Sequence, residues 1–115
     1  MGEYQNKAVT LMTACLGEQS ATDPKERGEA FLTASIGLFY ALGLSVEDLA
    51  KTAKAATAKP TPPVDVAIGD LMKEMAAIGT MHDLDIMQAA YNTLDQQMQS
   101  LKKTLDVTSK RIGQR

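Results

Sequence analysis

Internal disulfide chemistry is closed to this chain, because its 115 residues include one cysteine, Cys15. A fold without a disulfide does not depend on an oxidising compartment. Cys15 follows apolar neighbours on an expected helix and has no base beside it, so it reads as a small core residue rather than a nucleophile. Strand signals are nearly missing: β-branched runs are short, and Ala, Leu, Met, Lys, Glu and Gln dominate. No apolar run is long enough to cross a bilayer, and Met1, Gly2, Glu3 and Tyr4 do not open a basic-then-apolar signal peptide. Gly2 and Lys7 faintly echo an acylation signal, but Asn6 stands where that signal needs a hydroxyl. The expectation is therefore a cytoplasmic protein with no membrane partner. An excess of one charge is also lacking, with 12 basic against 14 acidic residues. That balance argues against a nucleic-acid groove. The local cluster of Lys102, Lys103, Lys110, Arg111 and Arg115 reads as a helix end complementing its dipole. There is no glycine-rich phosphate loop, no clustered cysteine and no serine elbow.

What is there is helix. One domain over 1–115 is expected, with 100–115 an extended or frayed helix end. A first helix spans Glu3 to about Leu16, and Gly17 stops it. Asp23 caps the next, with Pro24 at its first position and Glu26 three residues after the cap. Its apolar residues Phe31, Leu32, Ile36, Leu38, Phe39 and Leu42 cover more than one stripe, which predicts a central helix buried on several sides and ended by Gly43. Ser45 and Asp48 form a capping box for a thin, peripheral helix to Ala58. Pro60, Pro62 and Pro63 then break the chain in a rigid crossover. The following helix starts near Val64 or Asp65, carries Ile68, Leu71, Met72, Met75 and Ile78 on one stripe, and is predicted to stop at Gly79. Asp83 or Asp85 caps the last helix.

That last helix carries Met87, Tyr91, Leu94, Met98, Leu101 and Leu105, then Thr108 and Ile112, in steps of four and three. This is a heptad seam longer than a small bundle needs, and it predicts a homo-oligomer, a dimer or a dimer of dimers. The strings "FYALGLSVEDLAK" and "MAAIGTMHDLDIMQ" repeat a helix, loop, acidic cap, helix order, a faint internal duplication. The predicted core is Phe31, Leu32, Ile36, Phe39, Leu71, Met75, Ile78, Leu94 and Met98. His82 beside Asp83 and Asp85 has the donor types for a metal, but the loop reads more simply as capping residues.

The stretches "ERGEAFLTASIGLFYALGLSVED" and "VAIGDLMKEMAAIGTMHDLDIMQAA" resemble the MazG-like all-α nucleoside triphosphate pyrophosphohydrolases, particularly the short forms of phages and prophages. The resemblance runs without gaps from about Tyr4 to about Gln97. It rests on Glu26, Arg27, Phe31, Leu32, Gly43, Pro60, Gly69, the "MAAI" turn, His82, Leu84 and Asp85. It implies an all-α, four- to five-helix bundle with a long C-terminal helix. The family's chemistry uses two adjacent glutamates, a third one turn on, and a Glu–x–x–Asp on a later helix to hold Mg²⁺ against phosphates. Here the pair falls on Thr33 and Ala34, the third on Gly37, and the later glutamate on Ala67. Asp70 alone is acidic. Two positions on the last helix that are often glutamate in the short forms are Tyr91 and Thr93.

The resemblance thus implies a pseudoenzyme with no metal cofactor. It would hold a nucleotide, or a nucleotide-derived immune signal in the manner of a phage sponge, without cleaving it. The candidate ligand residues are Thr33, Gly37, Tyr40, Asp70, Lys73 and Tyr91. Two alternatives stay open. One is a surviving enzyme with a displaced Mg²⁺ site on Glu29, Asp70 and Glu74. The other is a purely structural helical oligomer in which Ala34, Gly37 and Ala67 let helices pack closely.

Overall fold

A computed structural model describes the backbone of residues 1–113 and the side chains of residues 1–110. Arg111, Ile112 and Arg115, read above as parts of the seam and the basic cluster, lie outside the side chains described. The described chain is helical without strands. Its elements are α1 (Glu3–Leu16), α2 (Glu18–Ala21), α3 (Pro24–Ala41), α4 (Val46–Thr57), α5 (Val64–Met81) and α6 (Ile86–Gly113). The all-α class and the long C-terminal helix agree with expectation. No helix of the described residues is long and apolar enough to cross a membrane.

Local chemistry accounts for the boundaries. Asp23 accepts a 2.8 Å bond from the Glu26 amide, and Pro24 sits at the first helical position of α3, where its missing N–H costs nothing. Ser45 and Asp48 close a reciprocal capping box on α4. Asp85 accepts from the Gln88 amide at 2.9 Å and starts α6. His82 is the C-terminal cap of α5, and Asp83 takes the left-handed conformation at φ 55°. The His82–Asp83–Asp85 loop therefore does the work of stopping one helix and starting another.

Gly79 does not stop α5, contrary to expectation; the helix runs on to Met81. Gly79 is buried, and a Cβ there would lie 2.6 Å from Ile86 Cγ2 and 3.1 Å from the Leu84 carbonyl oxygen. Its carbonyl also accepts from the Leu84 amide at 2.8 Å. Glycine is used here for close approach, which lets the α5–α6 turn fold tightly back on its own helix.

The faint duplication has a clear backbone counterpart. α3 and α5 are both 18 residues long, and each is followed by a four-residue connection. In each connection the second residue has positive φ (Gly43 at 86°, Asp83 at 55°), the third is leucine, and the fourth caps the next helix. Positions forty apart in the chain thus occupy equivalent places, Leu44 matching Leu84 and Ser45 matching Asp85. Glycine meets the left-handed requirement at no steric cost, and aspartate tolerates it.

Packing between helices is sparse. α1 lies against α2 and α6, α2 against α3, and α5 against α6. The α1–α6 pairing joins distant parts of the chain, and it surrounds Leu11, the one large apolar side chain buried among the described residues, at 3 % exposure. The predicted core is not closed within the chain. Phe31 is 52 % and Leu32 57 % exposed, and Met98 is also exposed; Ile36, Phe39, Leu71, Met75, Ile78 and Leu94 are half-buried. The expectation that α3 is covered on several sides is likewise corrected, since none of its residues is buried. Cys15 is exposed rather than in a core. The physical reason is shared: among the described residues no helix lies over these faces. The radius of gyration is 17.7 Å, against about 13 Å for a compact domain of this length.

Two measurements follow from these local arrangements. Gly79→Ala is expected to lower stability by about 1–3 kcal/mol through overpacking against Ile86, whereas Gly69→Ala, in open space inside α5, is expected to raise it by roughly 0.5–1 kcal/mol. Urea or thermal unfolding of the two variants side by side gives opposite signs if the turn packs as described. The second concerns acid. The Ser45 backbone N–H, and then its hydroxyl, donate to Asp48 and hold its carboxyl below the ordinary 3.8. A depressed folded-state value stabilises the protein above the unfolded value, and that contribution is lost as pH falls through the folded one. The gap in melting temperature between the native protein and Asp48→Asn should be full at neutral pH and shrink below about pH 4.

Candidate functional site

The candidate residues divide by helix face. Thr33, Gly37 and Tyr40 follow one another at steps of four and three and share one stripe of α3. All three are exposed, and space around Gly37 is open, with nothing within 4 Å of where a Cβ would sit. The Thr33 hydroxyl donates to the Glu29 carbonyl at 2.9 Å, leaving its lone pairs available to an incoming donor. Tyr40 is turned edge-on to Phe39, with ring centroids 6.4 Å apart, and keeps 42 % of its surface exposed.

On the opposite stripe, α3 meets α5 across an open cleft of about 400 Å³. Its walls are Phe31, Ala34, Ser35 and Leu38 from α3 and Leu71, Glu74, Met75 and Ile78 from α5, with Phe39 and Leu42 completing one side. Each α5 residue of this set stands forty positions after its α3 counterpart, so the two walls present equivalent rows. The lining is almost wholly apolar, and Glu74 is the one ionisable side chain on it.

Asp70 and Lys73 are exposed on α5 and do not line this cleft. Asp70 instead borders a shallow hollow made by the end of α4 and the proline crossover, beside Ala56, Lys59, Pro60 and Pro62. Tyr91 lies on α6, edge-on to Tyr4 at 5.4 Å between centroids and at 80°, with the Lys7 ammonium 5.6 Å from its ring centre. Its ring is thus already held by α1. Lys7 also pairs with Glu3 at 3.4 Å, an exposed i,i+4 contact of small energetic weight.

One chain therefore brings Thr33, Gly37 and Tyr40 together and leaves Asp70, Lys73 and Tyr91 on other surfaces. Among the described residues no three His, Cys, Asp or Glu side chains converge as a metal site would require, and Glu29, Asp70 and Glu74 form no such group. The feature that residue-by-residue reading missed is Arg27. Its Nη1 approaches the Met12 sulfur at 3.1 Å, and its Nε is buried without a hydrogen-bond partner among the described residues. It borders a wide groove between α1 and α6 that also holds Cys15, Thr93, Ser100 and Thr104. Nothing in the spacing around "KERGE" signals that orphaned nitrogen, because it arises from the meeting of α1 and α3.

Comparison with known protein families, with characterised proteins and with solved structures finds no match for this chain.

The Tyr4–Tyr91 pair can be tested directly. Tyr91→Phe keeps the edge-on ring and should be nearly neutral. Tyr91→Ala removes the pair and the bridge from α1 to α6, and should cost about 1–2 kcal/mol of unfolding free energy, since both rings are half-buried. Equal effects for the two substitutions in urea melts would mean that the hydroxyl, not the ring packing, matters.

Proposed function

We propose that this chain is a non-hydrolysing, MazG-like helical protein that binds a nucleotide or nucleotide-derived signal. The observation that carries the reading is one of charge. Where the resemblance puts four metal-holding carboxylates there are Thr33, Ala34, Gly37 and Ala67, and only Asp70 remains acidic. A single carboxylate does not balance a pair of Mg²⁺ ions, whose coordination is built largely from carboxylate, phosphate and water oxygens. Small neutral residues in their place lessen the repulsion of phosphates without needing a metal to offset it.

The α3 stripe supports a division of labour. Tyr40 offers an exposed ring for a base to stack on, with gains of about 1–3 kcal/mol in comparable stacking contacts. Gly37 lets a ligand approach backbone closely, and the Thr33 hydroxyl offers a hydrogen bond. Tyr40 suits the stacking role better than Tyr91, whose ring already rests on Tyr4. Lys73 on α5 and the lysines of the α6 end are the candidate sources of positive charge, though they stand on other surfaces than the α3 stripe. In a phage such a protein would sequester a nucleotide immune signal.

A second reading, a purely structural helical oligomer, is favoured by the apolar lining of the α3–α5 cleft, which has little to offer phosphates. A thermal-shift panel of nucleotides, with and without Mg²⁺, separates the readings. Stabilisation by a nucleotide in the absence of Mg²⁺ is the expected result, at a shift of roughly 10 °C for a ligand present at about 100 times its Kd. No response to any nucleotide would leave the structural reading. Pyrophosphate release that needs Mg²⁺ and is abolished by Asp70→Asn would identify a working enzyme. Combined replacement of Thr33, Ala34, Gly37 and Ala67 by glutamate is expected to create Mg²⁺ binding if these positions face a ligand site. It would unfold the protein through unpaired charge if they face a packed helix core.

A further inference from the structure

We infer that the groove between α1 and α6 binds a small organic acid, one carboxylate on an elongated apolar body, with the Arg27 guanidinium holding the carboxylate. The inference does not rest on the nucleotide reading, because Arg27 belongs neither to the Thr33–Gly37–Tyr40 stripe nor to the α3–α5 cleft.

Charge carries the argument. The Arg27 side chain is half-buried, and its Nε is closed off from solvent without a hydrogen-bond partner among the described residues. The Met12 sulfur, 3.1 Å from Nη1, is a weak and neutral acceptor that leaves the charge unbalanced. All 14 acidic side chains of the chain lie among the described residues, and none of them forms an ion pair with Arg27. A cation drawn partly out of water without a counter-charge costs free energy. A bound carboxylate offsets that cost, and the chain itself supplies none.

The lining sets the rest of the ligand. The groove measures about 1060 Å³, at the upper end of small-molecule sites. Leu11, Met12, Leu94 and Leu101, all buried or half-buried, make its floor apolar. Along one rim Thr93, Gln97, Ser100 and Thr104 follow at steps of four, three and four, an exposed stripe of α6 that donates and accepts hydrogen bonds without charge. Arg27 is the one charged residue of the lining. One guanidinium balances one carboxylate, and its planar fork matches the two oxygens. A phosphate or polyphosphate would bring negative charge that no second cation of the groove meets. From Met12, beside the guanidinium, the α1 wall runs back to Tyr4 over about 12 Å, so the body that lies on this floor is elongated rather than compact.

Octanoate is the probe, and octanamide is the uncharged control of the same shape, both used on the full chain. Calorimetry is expected to show octanoate binding about tenfold or more tighter than octanamide, the usual scale of a hydrogen bond to a charged group. Arg27→Gln should abolish that preference, and Arg27→Lys should keep part of it. The comparison of the two ligands on the native protein decides the matter without either variant, should one fail to fold. Cys15 reports the place, being exposed on the same groove and one helical turn from Met12. Its alkylation by iodoacetamide should slow about tenfold with octanoate at ten times its Kd. Equal affinities for acid and amide, tighter binding of inorganic phosphate than of octanoate, or an unchanged Cys15 rate in the saturated protein each overturns the inference. Alkylation that slows as protein concentration rises without any acid also overturns it, since another copy then covers the groove.

Discussion

Backbone satisfaction at helix ends, more than a shared interior, gives this chain its shape. Every helix leaves amides at its start and carbonyls at its finish that must find partners. Asp23, Ser45 and Asp85 take up amides at three starts, while Gly17, Leu42, Gly43 and His82 return N–H groups to the ends of the preceding helices. These bonds lie within a few residues of each other in sequence, so they form without long-range help. The rest depends on them: the hairpin turns set which faces α3 and α5 turn toward each other, and hence where the apolar cleft lies.

Helices supported only by their caps are marginal in water, because nucleation is costly and most helical stability in proteins comes from packing one apolar face. That constraint makes the exposed faces of α3 and α5 informative. α4, by contrast, has little to bury, and its alanine- and lysine-rich surface is suited to solvent. The division between a solvated outer helix and two helices with uncovered apolar rows gives the chain an inside and an outside. Thr33, Gly37 and Tyr40 lie on the face of α3 turned away from the cleft, whereas Ala34 lines it.

Several elements were legible in the residues alone because their causes are local. The Asp23–Pro24–Glu26 start, the Ser45–Asp48 box and the proline break are each decided by atoms within three or four residues, and all stand where their side chains imply. Gly79 was misread for an equally definite reason. Glycine near a helix end serves either as a left-handed stop or as a point of close approach, and only the position of Ile86 discriminates between them. Asp83 took the left-handed role instead. The candidate site was legible in part: Thr33, Gly37 and Tyr40 share a stripe by helical periodicity, while the separation of Asp70, Lys73 and Tyr91 onto other surfaces depends on how helices are arranged in space.

Sequence by itself therefore determined the helical class, most of the helix boundaries, the caps and the lack of carboxylates at the positions the resemblance singles out. Those follow from side-chain chemistry and from a period of 3.6 residues, which need no knowledge of distant neighbours. Tertiary structure alone decided which apolar residues are covered. Phe31, Leu32 and Met98 have the chemistry of core residues, yet they are exposed in one chain because burial depends on what lies opposite. It also decided that Leu11 is enclosed, that the Arg27 Nε has no hydrogen-bond partner among the described residues, and that two rows forty residues apart face each other across one cleft. Each of these is a relation between helices, set by the turns that join them and the space left between them.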